Sequence, residues 1–166
     1  GPTIFGWADP ARAPDDRLAA IAATFQAAGL PASVTSDAAG AIWDKLIVNA
    51  AINPVAALTG LPNGALPGQP GLVDVMREVL AEALAVRRAA GPPTTEDVDA
   101  ALARTLVVCV ATAANRASML QDLDAGRPTE IDAINGALVT LGARYQVATP
   151  LNAALTALIK GIRDRG

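Results

Sequence analysis

One stretch restricts the architecture more than any other. WDKLIVNAAINPVAALTG, from Trp43 to Gly60, reads as a helix that is apolar nearly all the way round. Such a helix belongs inside a protein, with other helices packed about it. Composition agrees: 52% of residues are hydrophobic but only 3% are aromatic. The core is therefore built from Ala, Leu, Val and Ile, which suits closely packed helices. At 166 residues the chain is long enough for one domain with a substantial core. Polar residues interrupt the apolar stretches, so no membrane span is expected. No apolar block opens the chain as a signal peptide would.

The segments sort readily. GPTIFG and PASVTS read as short strands on either side of a helix, PDDRLAAIAATFQAAG. In that helix Asp15 or Asp16 is the cap, Leu18, Ile21, Ala22 and Phe25 form the inner stripe, and Gly29 is the stop. From Ser36 onward nearly everything is helical. Ser36 or Asp37 caps a helix that runs to about Thr59. Pro54 lies inside it and takes away the hydrogen bond to the Ala50 carbonyl, so a kink is expected. GLPNGALPGQPG is an irregular connector. LVDVMREVLAEALAVRRAAG turns Val73, Met76, Leu80 and Leu84 inward and ends at Gly91. TTEDVDAALARTLVVCVATAANRASMLQDLDAG starts at a threonine cap and should break near Asn115–Ser118. PTEIDAINGALVTLGARYQ and TPLNAALTALIKGIRDRG complete the set as two more helices. The expected fold is mainly α, with a β-α-β scrap over residues 1–35 and a helical domain over 36–166.

Several chemistries drop out. There is no histidine, which removes His-based triads and His-containing metal sites. The single cysteine, Cys109, sits in LVVCVA as a core residue, excludes an internal disulfide and fits a reducing cytoplasm. A net charge of −3 with scattered arginines offers no nucleic-acid stripe. Neither glycine-bearing segment matches a phosphate-binding fingerprint.

Lysine usage then singles out one residue. Of the 13 Lys and Arg side chains, only Lys45 and Lys160 are lysines. Lys160 lies near the C-terminus, where a lysine is ordinary. Lys45 lies in the apolar helix, and unlike arginine it can give and take a proton. Lys45, Asn49 and Asn53 recur at every fourth position and so share one side of the helix. An ammonium beside amides suits a ligand with a carbonyl, a hydroxyl and a carboxylate. The competing reading is a solvated polar face. The other candidates also have ordinary explanations. Asn63-Gly64 is a common turn pair. Ser118 stands where a helix cap would. Glu130 stands where the dipole of a first helical turn favours an acid. Asp122 and Asp132 read as solvated or capping charges.

In order and spacing, IWDKLIVNAAINPVAALTGLPNGAL, NRASMLQDLDAGRPTEIDAINGAL and ATPLNAAL resemble the C-terminal domain of the ketopantoate reductase (2-dehydropantoate 2-reductase) family. The resemblance spans residues 36–166. It implies a helical bundle of the 6-phosphogluconate-dehydrogenase-like type, a cytoplasmic oxidoreductase and a step of pantothenate biosynthesis. Residues 1–35 resemble the closing strand-helix-strand of the family's nucleotide domain, the rest of which is missing from this sequence. By resemblance Lys45 is the general acid, and Asn49, Asn53 and Asn63 hold the substrate's hydroxyl and carboxylate. Ser118 binds the carboxylate, and Glu130 lies near the cofactor ribose and the substrate hydroxyl. NADPH is the implied cofactor, a small 2-oxo acid the implied substrate, and no metal is implied. Two alternatives stay open. One is a non-catalytic module that self-associates or pairs with a separate nucleotide-binding domain. The other is a reductase acting on a different 2-oxo acid.

Overall fold

The computed structural model describes residues 3–163. Gly1 and Pro2, which open the expected first strand, lie outside the described residues, as do residues 164–166. The element order is β1 (Thr3–Phe5), α1 (Asp16–Ala27), β2 (Ala32–Val34), α2 (Ala38–Thr59), α3 (Pro70–Ala90), α4 (Val98–Ala111), α5 (Ser118–Asp124), α6 (Asn135–Tyr145) and α7 (Pro150–Arg163). A 3-10 helix over Asn63–Gly68 joins α2 to α3. The chain is mainly helical, as its composition requires. It divides into two compact units, Gly1–Lys45 and Leu46–Gly166. The division falls inside α2, downstream of the boundary expected after residue 35.

In the first unit β1 and β2 pair in parallel, with Thr3 opposite Ala32 and Phe5 opposite Val34. Parallel neighbours need a crossover, and α1 provides it. Asp15 caps α1 by accepting from the Leu18 N–H at 3.2 Å. Leu18 and Ala22 are buried, and Phe25 meets Phe5 edge-on with ring centroids 5.0 Å apart. Ile21, expected on the inner stripe, is exposed instead, because the face that α1 buries is narrow. Gly29 ends the helix with φ +77, a conformation that disfavours any side chain. Asp37, rather than Ser36, caps α2 by accepting from the Gly40 N–H at 2.7 Å.

In the second unit α2 carries a buried run from Ile47 to Ala57, broken only by half-buried Asn49. Contrary to the expectation from sequence, α2 is long and apolar enough to cross a membrane by length and composition. A core helix meets the same test, and the buried run gives it that role here. In the same unit α3 packs against α4, α6 and α7. Pro70 starts α3 two residues earlier than expected, since proline's fixed φ suits a first helical position. Met76, Leu80 and Leu84 are fully buried as expected, while Val73 is only half-buried. Asp97, not a threonine, caps α4 by accepting from the Ala100 N–H at 2.8 Å. The break after α4 comes at Ala111, and helix resumes at Ser118. The helix expected from Pro128 begins only at Asn135. Residues 131–134 form turns ahead of it, which lets both Ile131 and Ile134 reach the core.

Candidate functional site

Lys45 is exposed, on the α2 turn that lines a cavity of about 520 Å³ in the first unit. Thr3, Gly6, Thr35 and Ile42 line the same cavity. Gly6 directly follows β1 and Thr35 directly follows β2, so the cavity reaches the carboxyl ends of both parallel strands. Ligands of parallel α/β sheets bind outside those ends. Gly6 keeps its chain close to α2, since a Cβ there would stand 2.7 Å from the Ala38 Cβ.

The asparagines belong to the second unit. Asn49 is half-buried and Asn53 is 7% exposed. α2 stays helical through Pro54, so their four-residue spacing holds along one face. Asn63 is buried and starts the 3-10 helix. Its Nδ2 donates to Thr112 Oγ1 at 2.9 Å, and its N–H donates to the Asn115 carbonyl at 3.0 Å. The Thr112 hydroxyl donates in turn to the Val108 carbonyl, so it can only accept from Asn63. Asn63 Oδ1 is left buried without a hydrogen-bond partner. Gly64 follows because a Cβ would stand 2.5 Å from the Ala113 Cβ and 2.7 Å from its Cα. The Asn-Gly pair is thus more than a turn: it clasps the segment that leads into Ser118.

Ser118 and Glu130 stand exposed on two other segments. Ser118 is the first residue of α5, whose cap position is Ala117 and carries no side-chain hydrogen bond. Its hydroxyl is therefore not spent on capping. Glu130 precedes α6 by a full turn, and its carbonyl accepts from the Ala133 and Ile134 N–H groups. The ordinary explanations for both residues are therefore not the ones met. Asp122 pairs with Arg127, and Asp132 with Lys160. Cys109 is fully buried, and burial pushes its thiol above the ordinary range. Among the described residues no cluster of three acidic or cysteine side chains could hold a metal.

One set of residues went unassigned at the level of sequence. Buried Asn135 and Asn152 and half-buried Glu82 form a chain of polar contacts. Asn135 Nδ2 donates to Asn152 Oδ1 at 2.9 Å and to the Ala50 carbonyl at 3.1 Å. Asn152 Nδ2 donates to Glu82 Oε2 at 2.7 Å. The sequence signal was Pro54 itself, which leaves the Ala50 carbonyl seeking a donor.

The family model described as "Ketopantoate reductase PanE/ApbA C terminal" matches residues 37–163. A 2-dehydropantoate 2-reductase of Halobacterium salinarum is 34% identical over 146 residues, which is 88% of this chain and 47% of that protein. The solved PanE/ApbA family ketopantoate reductase of Ralstonia eutropha superposes with a TM-score of 0.82 at 35% identity, over 99% of this chain and 53% of that one. A D-mandelate dehydrogenase solved with NADH and anilino(oxo)acetate gives a TM-score of 0.72 at 25% identity, over 88% of this chain and 80% of that one. The chain spans about half the length of the curated relatives it matches. Fold and matches together define a helical C-terminal domain of the reductase type. The chain belongs to the ketopantoate reductase family.

Proposed function

We propose that this chain is the substrate-binding and proton-donating half of a 2-dehydropantoate 2-reductase. The observation that carries the reading is the exposed lysine of α2, set at a cavity on the carboxyl ends of two parallel strands. In this account Lys45 Nζ passes a proton to the ketone oxygen. As the carbonyl carbon is reduced, its π pair moves onto that oxygen, which the proton then closes as a hydroxyl. The lysine is left neutral and regains its proton from water. Asn49 and Asn53 hold the substrate's hydroxyl and carboxylate, each offering a donor and an acceptor. Asn63 Oδ1, buried without a hydrogen-bond partner, is left to accept from a donor such as the substrate hydroxyl. Ser118 offers a hydroxyl to the carboxylate, and Glu130 accepts from a ribose or substrate hydroxyl. NADPH supplies the hydride when bound, and residues 1–35 stand as the last part of the nucleotide-binding domain. Cytoplasmic work fits the buried, unpaired Cys109.

Two further readings have their own support. The likeness to a D-mandelate dehydrogenase carrying anilino(oxo)acetate supports a reductase for another 2-oxo acid. Ile4 and Leu30, each more than half exposed, support a module that covers this surface by pairing with another domain or a second copy. Calorimetric titration with 2-dehydropantoate, with phenylglyoxylate and with NADPH separates the three. Heat with 2-dehydropantoate alone or with NADPH supports the main reading. Heat only with phenylglyoxylate moves the substrate, and heat with none leaves the module.

A further inference from the structure

Pro54 has no N–H, so the Ala50 carbonyl lacks the donor that an α-helix would give it. Ala50 is fully buried, and water does not replace that donor. The side chain that does so comes from α6: Asn135 Nδ2, at 3.1 Å. Its orientation is forced from the far end of the chain of contacts. Glu82 Oε2 accepts from Asn152 Nδ2 at 2.7 Å and from the Asn152 N–H at 2.9 Å, while Oε1 accepts from the Leu151 N–H at 2.8 Å. An ionised carboxylate only accepts, so Asn152 must point its amide nitrogen at Glu82 and its Oδ1 at Asn135. Asn135 must then point Nδ2 inward, which gives one hydrogen to Asn152 and the other to Ala50. Its own Oδ1 stays buried with no partner. That is the cost of aiming both donors at α2 and α7, and it marks the amide as directed rather than merely accommodated.

The carbonyl it holds lies between Asn49 and Asn53. A proline ring inside a helix presses on the carbonyl four residues before it and bends the helix, so how the Ala50 carbonyl is held sets the course of α2 between the two asparagines. We infer that Asn135 is a positioning residue: through the Ala50 carbonyl that Pro54 leaves open, it sets the relative aim of Asn49 and Asn53, with Asn152 and Glu82 as its anchor. The link to substrate rests on the reading of those two asparagines as substrate amides.

The test uses the full chain, Asn135→Leu, and the double variant Asn135→Leu/Pro54→Ala. Leucine keeps the shape and removes the donor, and alanine at 54 restores a backbone N–H to Ala50. Two measurements run side by side. Residual dipolar couplings of the α2 amides are recorded without ligand, and 2-dehydropantoate affinity is titrated below the unfolding temperature of each variant. In Asn135→Leu the couplings of residues 49–53 change and affinity falls by roughly tenfold or more. In the double variant thermal stability recovers in part, since Ala50 is again bonded while Asn152 Oδ1 is not, but affinity stays low because α2 has lost both the proline's push and the amide that aims it. A purely structural role would restore both together. Unchanged couplings in Asn135→Leu, or affinity that follows stability in the double variant, overturn the inference. Should the parent chain bind no 2-dehydropantoate, the substrate reading fails on that arm, and the couplings alone decide whether Asn135 sets the bend.

Discussion

Glu82 holds Asn152 twice, with Oε2 accepting from the backbone N–H at 2.9 Å and from the side-chain Nδ2 at 2.7 Å. A carboxylate from α3 thereby caps the first turn of α7, where the N-terminal N–H groups have no helical partners. Glu82→Ala strands these donors and should cost about 2–4 kcal/mol. The check is urea unfolding, read as a lower midpoint with an unchanged slope. Glu82→Gln keeps one accepting oxygen and should lose about half as much. Equal midpoints for all three chains would contradict the cap.

Gly64 lies where the connector meets the end of α4. A methyl group there would stand 2.5 Å from the Ala113 Cβ. Gly64→Ala must push the 3-10 helix away from α4, at about 1–3 kcal/mol. The bond from Asn63 Nδ2 to Thr112 should lengthen or break with it, so substrate affinity should fall along with the melting temperature. A variant as stable as the parent would show that the connector yields freely.

Asp15 gives α1 a pH dependence. Arg12, hydrogen-bonded to its carboxylate, does most to hold it below the ordinary aspartate range, and the Leu18 N–H adds to the effect. A depressed folded value means that its contribution is complete above the ordinary value and is lost as pH falls through the lower folded one. The protection of the Leu18 amide from hydrogen exchange, taken relative to its intrinsic rate at each pH, should therefore hold down to about pH 4 and fall below it. Asp15→Asn keeps a capping oxygen but has no charge to lose, so this pH dependence should vanish. Parallel profiles for the two chains would contradict the assignment.

Cys109 should be inert while the fold is intact. Burial raises its thiol, so the protonated form is favoured, and that contribution is present below the ordinary thiol value and lost as pH rises through the folded one. Alkylation by iodoacetamide at neutral pH should proceed at the rate of unfolding and jump in urea. Fast labelling of the native chain would mean that α4 opens locally.

Local signals carried much of this far. Asp15 and Gly29 mark their helix ends as capping chemistry requires, Gly91 ends α3 with an extended backbone, and Lys45, Asn49 and Asn53 could be placed on one helix from spacing alone. The misses have a common cause. Asn135 follows Ile134 in a run that scans as helix, yet the helix starts only there, because buried Ile131 and Ile134 and the bond to Ala50 place the turn. That bond joins positions 85 residues apart, and no local pattern encodes it. Ile21 looked inward by periodicity, but how wide a face α1 buries is decided by its neighbours. Ser118 and Glu130 became candidates only through family likeness, since in the sequence each also suits an ordinary helix end.

The amine of Lys45 is the proposed proton donor. Its most direct test is NADPH-dependent reduction of 2-dehydropantoate by this chain joined to a nucleotide-binding half, compared between the parent and Lys45→Ala. The expected result is a kcat lower by on the order of 10²–10⁴-fold with helical content unchanged. A near-parental kcat in Lys45→Ala would contradict the assignment of the proton donor and the reading built on it.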